Sequence, residues 1–390
     1  MQFRYTPAMH VMTTTQELAA VCGRLAKAPY VAVDTEFVRE TTFWPDLCLI
    51  QIAGGAEEAL IDPLAPGMDL APFFELMANR AVVKVFHAAR QDLEIIHLLS
   101  RVIPKPIFDT QIAAMVCGFG DSISFSNLVR NIVGDDIDKS SQFTDWRRRP
   151  LSPKQLTYAL SDVTQLRPVY EHLAAELAKT GRAGWLEEEM AALTDAATYE
   201  QHPENAWQRL KLRVKSRKAL GVLMEVAAWR ERTAQSQNVP RGRVLKDEAI
   251  YDIANQMPQT TEQLGELRTI NDGFARSGRG QELVAAVKAG LAREPASLPL
   301  LERGTATPVE AQAVLELLKV LLKASAAQHG VAPKMIATTD DLERLAVEVE
   351  PDVMALKGWR RELFGARALA LKAGKLALKV RQGAIEAVEV

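Results

Sequence analysis

Residues 30–37, YVAVDTEF, form a short apolar run that ends in two carboxylates one residue apart, Asp34 and Glu36. In an extended chain residues i and i+2 point to the same face, so the two acids converge. Carboxylate oxygens at a strand end suit a hard divalent cation such as magnesium or manganese; the competing reading is an acidic pair that is solvated or matched by Lys or Arg. Outward from this stretch, further strand-like runs occur at 47–53 (LCLIQIA), 59–61 and 82–86, with a helical pattern at 70–78. Gly54 and Gly55 between the first two of these predict neighbouring antiparallel strands, and the run at 82–86 leads into a helix. An α/β domain with a mixed sheet is therefore expected.

Two more segments carry polar chemistry. In FHAARQDLE (86–94) a strand end is followed by a helix with Asp92 in its opening turn, where the carboxylate either complements the helix dipole or joins a site. His87 in the same segment is either a hydrogen-bonded structural group or a donor to a phosphate or terminal hydroxyl. Residues 107–117 turn into a helix capped near Asp109 or Thr110, and a long helix begins after Ser152-Pro153. On that helix Tyr158 and Asp162, at i and i+4, share one face.

At 390 residues the chain predicts two or three cores. Its net charge of -2 conceals a polarised distribution. Residues 207–248 hold eleven Lys/Arg against four Asp/Glu, and 357–381 hold eight against one, each a net +7 by subtraction. Such polarity suits a polyanionic ligand. Three widely spaced cysteines give no disulfide framework, and the six histidines give no zinc motif. Without a secretory h-region or an apolar stretch of spanning length, a cytoplasmic protein with no membrane partner is expected. From Gly181 onward the pattern reads as helical to the end. The break EPASLPLLERG (294–304) splits that half into two modules, and WRE at 229–231 against WRRE at 359–362 hints at duplication.

The order DxE, distant D, then YxxxD resembles the tyrosine-containing subclass of the DEDD exonuclease superfamily. The surrounding VAVDTEFVRE, LIQIA, ALIDPL, FHAARQDLEII, IFDTQIAA, IDKS and TDWRRRPLSPKQLTYALSDV resemble the ribonuclease D family over residues 29–175. Residues 205–290, with NVPRGRVLKDEAIYDIA, resemble an HRDC domain, and 307–380 look like a second, divergent copy.

This resemblance implies an α/β ribonuclease H-like exonuclease domain with its connecting helix (1–204), followed by two all-α HRDC-like bundles (205–293 and 305–382). It implies that Asp34, Glu36, Asp92 and Asp162 hold two Mg2+ (or Mn2+) ions and that Tyr158 positions the attacking water. Lys139, Trp146 and Phe37 would line the strand path, with stacking on Phe37 or Trp146, and Trp146 could equally belong to the core; the role of Arg147, Arg148 and Arg149 stays open between phosphate binding and solvation. The expected activity is 3′-to-5′ exoribonuclease, releasing nucleoside 5′-monophosphates and trimming 3′-extended tRNA precursors and other small structured RNAs, as a monomer. The rival readings are a DNA exonuclease with the same metal chemistry and a catalytically silent RNA-binding adaptor. With the acidic motifs in the first half and the basic stretches in the second, a chain cut at 204 is expected still to cleave short RNA.

Overall fold

The computed structural model describes residues 10–211, 213–299 and 308–390. These divide into two compact units: 10–36, 48–198 and 308–390 in one, 37–47 and 199–299 in the other. The three segments expected from sequence are thus regrouped, with the last module joined to the nuclease.

The sheet of the first unit contains β1 (Val11–Met12), β2 (Tyr30–Val38), β3 (Asp46–Gly54), β4 (Glu57–Ile61), β5 (Val83–Phe86) and β6 (Ile107–Asp109), in the order β1-β4-β3-β2-β5-β6. The expected antiparallel pair is β3 and β4, turning at Gly55 with φ +55°, a value that favours glycine. β5 runs parallel to both β2 and β6, so the sheet is mixed. Residues 107–109 form edge strand β6, and the helix that follows is capped by Asp109, as the sequence indicated. The flanking helices are α1 (Thr15–Leu25), α2 (Ala71–Ala78), α3 (Arg90–Ser100), α4 (Thr110–Val116), α5 (Phe125–Ile132) and α6 (Pro153–Thr180).

Local chemistry sets α6, which carries two site residues. Ser152 and Gln155 form a capping box, Pro153 occupies the first turn, and Gly181 ends the helix at φ +67°. Its buried stripe, Ala159, Asp162, Val163, Leu166, Val169, Leu173 and Leu177, follows helical spacing and admits one carboxylate among apolar side chains. A short helix, α7 (Glu187–Leu193), follows.

The second unit is a helical bundle of α8 (Arg217–Ser236), α9 (Arg241–Val244), α10 (Asp247–Gln256), α11 (Thr261–Gly265), α12 (Asp272–Ala275) and α13 (Gly278–Ala292). Helices α8 and α13 approach so closely at Gly221 and Gly290 that a Cβ on Gly290 would stand 2.5 Å from the Val222 Cα. Phe43 joins this core, and the Asn238 Oδ1 accepts from the backbone N–H groups of Phe43 (3.0 Å) and Trp44 (2.9 Å).

The last module returns to the first unit with α14 (Val309–His329), α15 (Pro333–Ile336) and α16 (Thr339–Val347). Leu315, Leu318 and Leu322 share one hydrophobic core with Leu128, Val129, Leu173 and Leu177 of the nuclease segment. Arg182 donates to the His329 carbonyl at 2.6 Å and to the Val116 carbonyl at 3.2 Å. Trp185 stacks on Trp359 with ring centroids 4.3 Å apart, and Arg182 and Arg360 cover the two outer faces.

The expectation of helix to the chain end is overturned by a hairpin of β7 (Leu376–Arg381) and β8 (Ala384–Glu389). Gln382 and Gly383, at φ +51° and +80°, make the two-residue turn. The second +7 stretch is corrected with it, because its charges are largely engaged. Arg360 is buried against Glu188 and Glu189, Lys357 pairs with Asp352, Lys379 and Arg381 share Glu386, and Lys372 donates to backbone carbonyls. The 294–304 break is described to residue 299; its remainder lies outside the described residues. Among the described residues no helix is long and apolar enough to cross a membrane.

Candidate active site

Strand β2 presents Asp34 and Glu36 on one face, and α6 brings Asp162 against them. One carboxylate oxygen from each of these three residues lies within 4.8 Å of the other two. Asp92, in the first turn of α3, is 7% exposed and is held by Thr35, whose Oγ1 donates to its Oδ1 at 2.5 Å. All four acids predicted from sequence therefore face a common region, and Tyr158 hydrogen-bonds to Asp162 one turn along α6.

The electrostatics are those of charge concentrated without compensation. Burial, followed by Asp34, Asp162 and Asp92, pushes the Glu36 carboxyl up to about 10. Burial and the Asp162 charge hold Asp34 well above the usual carboxylate range, and burial with the Asp34 charge does the same for Asp92. Burial also raises Asp162, to about 7, against the opposing effects of the Tyr158 hydroxyl and the Lys139 ammonium. The Tyr158 hydroxyl is itself raised, by burial and by the charges of Asp162, Glu36 and Asp34, so it stays protonated and can donate. Buried acids at this density are costly unless a multivalent cation neutralises them, and an all-oxygen donor set fits magnesium or manganese. The residues present fit a divalent metal.

The supporting parts are less obvious in sequence. Ala88, between β5 and α3, sits at φ +58°, a strained value for a residue with a Cβ. Asp109, 2% exposed, stabilises that turn: its carboxylate accepts from the N–H groups of Ala88, Ala89 and Gln111 at 2.8–3.1 Å. Asp109 thereby aims α3 and Asp92. Its only sequence signal was the IFDT cap. Arg149 is bidentate to Asp62, with both contacts at 2.6 Å, and also donates to the Cys48 and Trp146 carbonyls, so it pins the 142–150 loop to the sheet. The arginine run thus divides: Arg149 is structural, Arg147 pairs locally with Asp145, and exposed Arg148 has no ion-pair partner among the described residues.

The expected substrate contacts also divide. Lys139 is exposed and close enough to favour the charged form of Asp162. Phe37 follows Glu36 on β2 and is half-buried. Trp146 is corrected: at 2% exposure it offers no face to a base, and its ring instead lies 6.1 Å from that of Tyr158, as packing support. His87 places Nδ1 3.0 Å from the Thr110 hydroxyl, and burial lowers its pKa to about 4, so it is neutral and brings no cation to a phosphate.

The family model described as 3′-5′ exonuclease matches residues 9–178, and the HRDC domain model matches 219–287. Ribonuclease D of Nitrobacter hamburgensis is 55% identical over 381 residues, covering 98% of this chain and all of that protein. The chain belongs to the ribonuclease D family. A second ribonuclease D, from Granulibacter bethesdensis, is 49% identical over 96% of this chain and 95% of its own length. The crystal structure of Escherichia coli RNase D, described as an exoribonuclease involved in structured RNA processing, superposes with a TM-score of 0.81 at 28% identity, covering 94% of this chain and 99% of that one. As a ribonuclease D the chain is a hydrolase of the 3′-5′ exoribonuclease type, and divalent-metal dependence comes with the family.

Proposed function

We propose that the protein removes nucleotides singly from the 3′ ends of structured RNAs, 3′-extended tRNA precursors among them, releasing nucleoside 5′-monophosphates in the cytoplasm as a monomer. The observation that carries this reading is the convergence of Asp34, Glu36 and Asp162 beside a protonated Tyr158. Asp34, Glu36, Asp92 and Asp162 would hold two Mg2+ or Mn2+ ions, which supply charge neutralisation at the phosphoryl oxygens and lower the pKa of bound water.

The chain's own groups do the rest. Tyr158 donates from its hydroxyl and orients the attacking water, while Thr35 and Asp109 keep Asp92 in place. Lys139 and Arg148 neutralise backbone phosphates near the 3′ end, and Phe37 stacks on a base, which grips single strands without reading sequence. The helical module 199–299 holds the body of the RNA by its phosphates, with low sequence preference.

The test is a 3′-extended tRNA precursor incubated with and without magnesium, with products resolved by length, beside matched single-stranded RNA and DNA. Stepwise, magnesium-dependent shortening of RNA is expected. Equal or faster digestion of the DNA strand would move the assignment to a DNA exonuclease, and no shortening of any strand would leave an RNA-binding adaptor.

A further inference from the structure

The helical module 199–299 contains a cleft of about 440 Å3 that the hydrolytic site does not use. It lies among the Pro203–Arg209 turn, α8 and the α9–α10 junction, and four cations line it: Arg209, Arg230, Arg241 and Lys246. We propose that this cleft is a phosphate-binding site that grips one backbone phosphodiester of an RNA substrate, remote in sequence from the acids that cut it. The proposal rests on the reading of this module as the part that holds the RNA body, and it supplies the residues.

Three observations make the cleft a built site. Glu231 is fully buried, and it accepts from both Arg209 (2.9 Å) and Arg241 (2.6 Å on each oxygen). One carboxylate against two guanidiniums leaves a positive excess, held in place because Arg241 also lies over the Phe43 ring at 4.5 Å. Arg230 is 5% exposed; its Nη1 donates to the Leu245 carbonyl and to Asp247, while its Nε has no partner among the described residues. Finally, α10 begins at the cleft with Lys246 as an N-cap that supplies no side-chain hydrogen bond. The orphan N–H groups of that first turn and the helix dipole favour an anion, and Lys246 itself is exposed and without an ion-pair partner among the described residues.

Planar guanidiniums with fixed donor forks match phosphate better than a lone carboxylate. A repeating polyanion is favoured over an isolated ion by the surroundings. Lys211, Arg213, Lys215, Lys218, Arg232 and Arg243 of the same module are all exposed and without an ion-pair partner among the described residues. They extend the positive surface over several successive phosphates. Asp247 and Glu248 also line the cleft, and Asp247 is committed to Arg230.

The experiment uses the full chain carrying Arg209→Gln and Lys246→Gln together, and separately Lys246→Glu. Binding of a 3′-extended tRNA is measured in EDTA over a range of salt, and turnover of a five-nucleotide RNA is measured with magnesium. The double variant is expected to bind the tRNA roughly tenfold more weakly, with the slope of log affinity against log salt reduced by about 0.7–0.9, the value of one phosphate contact. Lys246→Glu, which breaks no pair, should weaken binding at least as much, while turnover of the short RNA stays at the wild-type rate in both. Unchanged affinity and slope in both variants would overturn the site, as would an equal loss on the short RNA, which points to a disturbed fold. Because binding is read without metal, a chain that failed to hydrolyse anything would refute the nuclease reading and still decide the cleft.

Discussion

The two helical modules repeat one plan and use it differently. In the first, long α8, short α9 and α10 are joined by 237–240 and 245–246; in the second, long α14, short α15 and α16 are joined by 330–332 and 337–338. The contents diverge at the short helix, RGRV at 241–244 against PKMI at 333–336. The first module keeps a core of its own and exposed cations without an ion-pair partner among the described residues. The second merges its core with the nuclease and ties up most of its cations in ion pairs and carbonyl contacts. Two stretches with the same +7 by count therefore differ in what they offer a ligand, because net charge along a chain says nothing about which charges already have partners.

The largest effect expected from this contrast is that removing 308–390 destroys the nuclease. Leu128, Val129, Leu173 and Leu177 would lose the leucines that cover them, and each exposed core contact of this size costs on the order of 2–5 kcal/mol against a total stability of about 5–15 kcal/mol. A fragment of residues 1–204 should lack a cooperative thermal transition, so the sequence-based expectation that it cleaves short RNA is withdrawn. A sharp melt with retained activity would show that the shared core is dispensable.

Next in size are the acids. Asp34→Asn, Glu36→Gln, Asp92→Asn or Asp162→Asn should each abolish nearly all hydrolysis while tRNA binding in EDTA persists, separating the cutting site from the basic module. Near-wild-type turnover in any two of them at saturating magnesium would remove the metal assignment. These carboxyls also predict a pH trend for the metal-free protein. An unfolded chain releases their protons near pH 4, whereas the folded one retains that of Asp162 to about 7 and that of Glu36 to about 10. Unfolding then releases protons, so stability falls as pH rises through that interval. The metal-free melting temperature should be lower at pH 8 than at pH 5.5, Asp162→Asn should flatten part of the difference, and magnesium should reverse it. A rise with pH in the metal-free protein would contradict the burial argument.

Tyr158→Phe is expected to slow single-turnover cleavage by roughly 10²-fold, the range for one positioned hydrogen-bonding group, with the four acids unchanged. An unaltered rate would reduce Tyr158 to a packing partner of Trp146.

Legibility followed the range of the interactions. Asp34 with Glu36, and Tyr158 with Asp162, were readable because strand and helix periodicity bring them together within five residues. Asp92 needed a resemblance, since no local rule separates a ligand from a helix-dipole carboxylate. Trp146 was ambiguous for the same reason: its burial depends on how the 142–150 loop is pinned by Arg149 to Asp62, 87 positions away in the chain. Asp109 and Thr35 act through turns and partners distant in sequence, and neither pattern is periodic. The hairpin at 376–389 was locally encoded, by alternating Leu376, Leu378 and Val380 and the Gln382-Gly383 turn, but the surrounding Ala, Leu and Lys content masked it. The merged core across 128–177 and 315–345 has no local signature at all.

The smallest effect tests the comparison most directly. Neutralising Lys379 and Arg381 together removes the same formal charge as neutralising Lys215 and Lys218, yet the first pair shares Glu386, which offsets one of its two charges, and the second pair has no ion-pair partner among the described residues. Exposed ion pairs of the former kind contribute about 0–1 kcal/mol to stability, and the shared carboxylate halves the charge left for a phosphate. Lys379→Gln with Arg381→Gln should therefore lower the salt slope by no more than the one uncompensated charge allows, about 0.7–0.9, and shift the melting temperature by a degree or two at most. Lys215→Gln with Lys218→Gln should lower the slope by about 1.4–1.8 without touching the melt, if each lysine meets one phosphate. Equal losses of slope from the two pairs would mean that charge count, and not charge pairing, governs how the two modules meet RNA.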